Sequence, residues 1–183
     1  MVQKRTILGK PALVYLTIGT TQFQFNRLLS AVDNVLVRLK RNYKLVAQIG
    51  NSNYKWQYNN VSIVHELTPP QQVRILKKAD YIIMHAGFGT MHMHSLYSKK
   101  QPLIVARLSK FKEHVDDHQK KFVDYLNKHT HNIITTSLRS NKYIAGTVLK
   151  HLKNEISSLA SKYFFDSSKK KQILEELRNY LIQ

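Results

Sequence analysis

Residues 80–119 read DYIIMHAGFGTMHMHSLYSKKQPLIVARLSKFKEHVDDHQ. Tyr81-Ile82-Ile83-Met84 is an apolar run of strand length, the pattern of a strand buried on both faces. His85-Ala86-Gly87-Phe88-Gly89-Thr90 follows at once. Its two glycines let the backbone turn sharply and approach a ligand closely, and residues of helical character come next. Free N–H groups at such a helix start, with the positive end of its dipole, suit a diphosphate-sized anion. A second apolar run at 102–106 leads into a polar stretch that holds Glu113, His114, Asp116, Asp117, His118 and Gln119.

The same alternation extends over the chain. Residues 12–18 predict a strand that ends at Gly19-Thr20-Thr21, and 25–41 predict a helix with Leu28, Leu29, Val32, Val35, Leu36 and Leu39 at helical period. Short strands are expected at 45–49 and 61–64, across a loop rich in asparagine. Pro69-Pro70 opens a helix to residue 78, proline being tolerated in a first turn. Helix at 113–128, a last strand at 132–136, helix at 142–163 and an amphipathic helix at 167–181 complete the series. Strands alternating with helices predict an α/β fold with a Rossmann-like, doubly wound parallel sheet. Ligands bind such sheets beyond the carboxyl ends of the strands, so the loops 19–22, 85–90 and 107–119 are expected to converge.

Composition bounds the function. At 183 residues one domain is expected, divided into a basic extension (1–11), the α/β body (12–165) and an amphipathic terminal helix (166–183). Cysteine is absent, which excludes disulfides and thiolate metal sites. Neither a signal peptide nor a membrane-spanning run is apparent, so a cytoplasmic protein is expected. The 29 Lys and Arg against 11 Asp and Glu give a formal charge of +18, a field that attracts polyanions. No zinc-finger, helix-turn-helix or RNA-binding signature accompanies it, which argues against nucleic acid. An anionic membrane surface is the better partner, at about 1 kcal/mol per nearby basic side chain. A solvated basic surface explains the charge equally well.

Each candidate residue also has a structural reading. Gly87 and Gly89 can form nothing more than a tight turn, His85 can be a hydrogen-bonded residue at a strand end, and Thr90 can be a helix N-cap. His114 and His118, four apart on the expected helix, have zinc-ligand spacing, yet no HExxH pattern or third ligand at a set spacing accompanies them. No metal and no cofactor is expected.

Three motifs carry a resemblance: TIGTTQFQFNRLL at 17–29, ADYIIMHAGFGT at 79–90 and KKQPLIVARLSKFKEHVDDHQKKFVDYL at 99–126. In this order they resemble the C-terminal, donor-binding half of family 28 glycosyltransferases, which include MurG, and most closely the short one-domain members. Those are soluble subunits of two-part transferases, acting in dolichol-linked, capsule or exopolysaccharide synthesis. The resemblance implies the C-terminal half of a GT-B enzyme and a UDP-sugar donor. It places the diphosphate at Gly19, Thr20, Thr21, Gly87, Phe88, Gly89 and Thr90. Ribose and sugar fall to His94, Glu113, His114, Asp117, His118 and Gln119, and the uracil edge to Glu66 and Leu67. It also implies a membrane-associated partner subunit that binds a lipid-linked acceptor and supplies the catalytic base, so that this chain is active only with that partner and lies on the inner membrane face.

One departure stands out. Relatives carry a ribose-binding glutamate in a pattern like HAGxGTxxESL, whereas this chain reads HAGFGTMHMHSL, with Met93 at the direct count and His94 before Ser95-Leu96. A histidine hydrogen-bonds a hydroxyl but does not accept two bonds as a carboxylate does. Restoring the carboxylate at 94 is therefore expected to tighten donor binding. A non-catalytic stabilising subunit remains the alternative, and a basic nucleic-acid-binding protein a third.

Overall fold

The computed structural model describes residues 10–39, 41–129, 134–136 and 141–153. Six parallel strands form one sheet: β1 (Ala12–Thr17), β2 (Tyr43–Gln48), β3 (Val61–Val64), β4 (Tyr81–His85), β5 (Pro102–Val105) and β6 (Ile134–Thr136), in spatial order β3-β2-β1-β4-β5-β6. The chain winds outward one way from β1 to β3, then crosses back to β4 and winds the other way. This is the doubly wound arrangement expected from the sequence, with its switch point between β1 and β4.

Burial follows from the layers. Every residue of β4 and β5 is buried, as an inner strand covered on both faces requires. On one face α1 (Asn26–Arg38) lays Leu28, Leu29, Val32 and Leu36 against the sheet and against Ile144 and Val148 of α5 (Asn141–Leu152). On the other face α2 (Pro69–Lys78) covers Tyr15 and Ile82, while α3 (Phe88–Tyr97) and α4 (His118–His129) enclose Met84, Ile104 and Ala106. The carboxylate of Asp33, buried on α1, accepts the Tyr54 hydroxyl at 3.0 Å and the Gln57 and Tyr58 N–H groups at 2.9 Å each, which shapes the asparagine-rich loop. Gln71 Oε1 accepts the Thr68 N–H at 2.8 Å and holds the start of α2, which begins at Pro69 as expected.

Two sequence expectations are corrected. The helix expected from 113 begins only at His118, because residues 109–117 are held in turns by other bonds: the Glu113 carboxylate accepts the Leu108 N–H, and Asp117 accepts the Ser109 N–H. A short 3-10 turn, Ser109–Phe111, occupies the place, and Lys112 adopts a left-handed φ of 57°. The helix expected to residue 41 stops at Arg38. The amphipathic helix at 167–181, the end of the 142–163 helix and most of the basic extension lie outside the described residues.

Glycines mark where the backbone has no room. Gly50 has φ +50°, and a Cβ there would lie 2.4 Å from the Gly19 carbonyl oxygen, whereas Gly146, on the exposed face of α5, has nothing within 4 Å. Gly50→Ala is expected to lose more than the roughly 1–2 kcal/mol of a left-handed alanine. Gly146→Ala is expected to gain roughly 0.5–1 kcal/mol by helix propensity. Urea midpoints of the two variants should move in opposite directions.

Candidate functional site

At the carboxyl edge of the sheet, β1 and β4 are neighbours, and the loop after each enters the crevice of the switch point. Gly87 is the N-cap of α3, so Phe88, Gly89 and Thr90 form its first turn. Their N–H groups are three of the four that a helix start leaves without an intrahelical acceptor, and no acidic side chain occupies that turn. Gly89 is exposed, with open space where a side chain would go. Thr90 is thereby a first-turn residue and not the cap.

His85 explains the other two glycines. Its imidazole is 6% exposed and stands where side chains at 19 and 87 would be: a Cβ on Gly19 would come 2.8 Å from the ring, and one on Gly87 2.1 Å. Gly19 also has φ +75°. Burial pushes the His85 pKa down to about 3, with the Arg107 cation adding in the same direction and the Thr17 backbone opposing. The ring is neutral and acts as a wedge between the two glycine loops.

A buried charged cluster joins these loops to the one after β5. Arg27, at the start of α1, grips Glu113 with Nε to Oε1 at 2.8 Å and Nη2 to Oε2 at 2.6 Å, and Nη2 also donates to the Ala106 carbonyl at 2.9 Å. Arg107 is 1% exposed and donates to the carbonyls of Ile18 (2.6 Å), Phe23 (3.0 Å), Gln24 (3.3 Å) and Glu113 (3.1 Å). Phe25 lies under both guanidinium groups, 5.3 Å from that of Arg27 and 4.8 Å from that of Arg107. Burial lowers the Arg107 pKa to about 10, opposed by Glu113, which leaves the group charged at neutral pH. Neither arginine stands out in sequence, because isolated basic residues are common in a chain this basic.

Three residues assigned to the donor, His94, Glu113 and Gln119, are corrected to buried scaffold roles. His94 is fully buried, and its Nε2 lies 2.8 Å from the Lys100 carbonyl oxygen, where it ties the end of α3 to the following loop. It cannot meet a ribose, and a glutamate there would bury a carboxylate instead of restoring a donor contact. Glu113 is 3% exposed and belongs to the arginine cluster. Gln119, also 3% exposed, accepts the Arg107 N–H at 3.1 Å. Asp117 accepts the Ser109 N–H and hydroxyl at 2.8 and 2.9 Å, and these bonds hold its pKa below the usual carboxylate range. His118 remains partly exposed beside Asp116, and His114 is largely covered, its side chain 16% exposed.

The loops at 19–21 and 87–90 are brought together. Thr20 is exposed, and Asn51 Nδ2 donates to the Thr20 and Thr21 carbonyls at 3.4 and 3.1 Å. Phe88 is exposed and stacks on His92, with centroids 6.1 Å apart. Glu66 and Leu67 follow β3, the edge strand three places from β4 in the sheet order. They share the carboxyl edge with the glycine turn, and Leu67 packs against the cluster of Tyr15, Leu76 and Ile82.

A doubly wound sheet with its glycine turn at the switch point defines a Rossmann-like α/β domain. The model of the glycosyltransferase family 28 C-terminal domain matches residues 13–177, and the chain belongs to that family. No curated protein matches the sequence. Among solved structures, the glycotransferase of kitacinnamycin superposes with a TM-score of 0.57 at 14% identity, over 90% of this chain and 42% of that one. CalG4, the calicheamicin glycosyltransferase, does so with 0.57 at 9% identity, over 94% and 43%. The glycosyltransferase VinC, in complex with dTDP, gives 0.57 at 14% identity, over 95% and 42%. At these identities the likeness is one of fold, and the chain spans about two fifths of the length of those enzymes.

Removing one member of the buried pair strands the other. Arg27→Met is expected to destabilise by about 3–5 kcal/mol in urea unfolding, and adding Glu113→Gln should recover part of the loss by removing the unpaired charge.

Buried neutral histidines predict an acid sensitivity. Burial holds His85 at about 3 and His94 and His151 at about 4. The unfolded chain takes up these protons near pH 6.5. Between about pH 6.5 and 4 the unfolded state therefore binds more protons, so stability is complete above that window and is lost as pH falls through it. Each histidine contributes up to about 1.4 kcal/mol per pH unit. Urea unfolding at pH 7 and pH 5 should show the fall, and His151→Leu should make it shallower.

Proposed function

We propose that this domain binds a UDP-sugar with its diphosphate over the first turn of α3 and against the 19–21 loop, and that it works as the donor subunit of a two-component inverting glycosyltransferase. The sugar, a hexose or N-acetylhexosamine, passes to a lipid-diphosphate-linked sugar in polysaccharide synthesis. The acceptor is held by a membrane-associated partner subunit.

One observation carries the reading: the start of α3 lies open at the switch point, with three N–H groups, no acidic side chain and free space at Gly89. The VinC complex with dTDP supports it, since that fold neighbour holds a nucleoside diphosphate. As the sugar leaves, negative charge grows on the diphosphate, and fixed N–H dipoles at a helix start stabilise it without reorganising. Glu113 and Asp117 are engaged in the scaffold. The base for the attacking hydroxyl is therefore assigned to the partner. The net charge of +18 suits an anionic membrane surface, where a lipid-linked acceptor resides, on the cytoplasmic side. Among the described residues no helix is long and apolar enough to cross a membrane.

A second reading has its own support. The α3 sequence FGTMHMHSLY contains no carboxylate to hold a ribose, as expected for a non-catalytic subunit that keeps the fold and stabilises its partner.

Calorimetric titration with UDP separates the two. Gly89→Val fits without a clash in the folded protein but fills the anion space. It is expected to weaken UDP by at least roughly 10-fold, or 1.4 kcal/mol, with an unchanged melt. Unchanged affinity in a folded variant would sink the phosphate-turn assignment, and a wild type that binds no UDP selects the stabilising subunit. Sugar transfer to a lipid-linked acceptor should need co-expression of the partner.

A further inference from the structure

His114, Asp116 and His118 each bring a ligating atom to within 4.8 Å of the others, in the turn that leads into α4. Asp116 Oδ1 lies 3.3 Å from His114 Nδ1 and 2.5 Å from His118 Nδ1, and the two rings stand edge to face with centroids 4.5 Å apart. Hydrogen bonding does not complete this group. The same Oδ1 also accepts the His118 N–H at 3.1 Å, so one oxygen faces three nitrogens. His114 Nδ1 is buried, and the Asp116 oxygen that it faces at 3.3 Å is already shared with His118.

We infer that His114, Asp116 and His118 form a site for one divalent transition-metal ion of the zinc class. Two imidazole nitrogens and one carboxylate oxygen are a donor set such ions take, with further coordination positions left for water or an anion oxygen. Around a tetrahedral ion with bonds of about 2.0–2.1 Å, ligand atoms stand roughly 3.3 Å apart. The His114–Asp116 separation of 3.3 Å already has that value, while the 2.5 Å contact to His118 opens by roughly 0.8 Å as the ion enters. His118 and Asp116 have the freedom to do so, with side chains 41% and 58% exposed.

The electrostatics are compatible. Arg107 is the nearby cation that opposes an ion, and Asp116 is the anion that offsets it. His114 also packs against the Phe23 ring at 5.7 Å, which places the site beside the loop after β1. An ion here would pin the 112–117 turn to the start of α4, and both imidazoles would then be ligands instead of sugar contacts.

The test uses the full chain, freed of metal with a chelator, titrated with Zn²⁺ by calorimetry and with Co²⁺ by visible absorption. One ion per chain is expected, with Zn²⁺ raising the melting temperature. His118→Ala and Asp116→Asn alter exposed side chains and should leave the metal-free melt unchanged. Each should weaken Zn²⁺ by more than the roughly 10- to 100-fold that loss of an outer-shell partner costs, and abolish the thermal shift. His65→Ala, outside the trio, should change nothing. Absence of Zn²⁺ binding, or binding that survives both trio substitutions, overturns the proposal.

Discussion

Two buried guanidinium groups and one carboxylate hold the carboxyl edge of this domain together. Arg27 enters from α1, and Arg107 and Glu113 both enter from the loop after β5. Two cations beside one anion would be costly inside a protein if charge pairing were their only compensation. Here the surplus donors are used on main-chain carbonyls of Ile18, Phe23, Gln24 and Ala106. Those carbonyls belong to loop backbone that no strand pairs, so the cluster supplies what the sheet cannot. An apolar cluster of the same volume would leave them without donors.

The consequence reaches the glycine turn. The loop after β1 is held by Arg107, and the turn after β4 is held against it by His85, whose neutral ring fills the space that side chains at Gly19 and Gly87 would need. Packing thus explains two of the three glycines, while Gly89 alone faces open space. That division separates residues that shape the crevice from the one beside which a ligand fits.

Charge is distributed with the same logic. The interior pairs its ions or surrounds them with hydrogen bonds and keeps its histidines neutral, while lysines such as Lys77, Lys78, Lys99 and Lys100 are exposed. The net charge of +18 favours an anionic ligand at long range, and the oriented N–H groups at the start of α3 favour it at contact.

The fold class was legible in the sequence because strand and helix differ in period: a run such as Tyr81–His85 between two helical patterns has few other ways to bury itself. The glycine turn was legible too, since it directly follows that run. The identities of the scaffold residues were not. His94, Glu113 and Gln119 read as ligand contacts, because a polar side chain beside a motif looks the same whether it faces a ligand or a buried arginine. The helix expected from residue 113 failed for the same reason, since the pattern cannot register that Glu113 is held by Arg27, 86 residues away. Local sequence determined the elements and their order through periodicity and turn chemistry. Tertiary structure alone decided which polar groups are already satisfied, because a hydrogen-bond partner is set by distance in space and not along the chain.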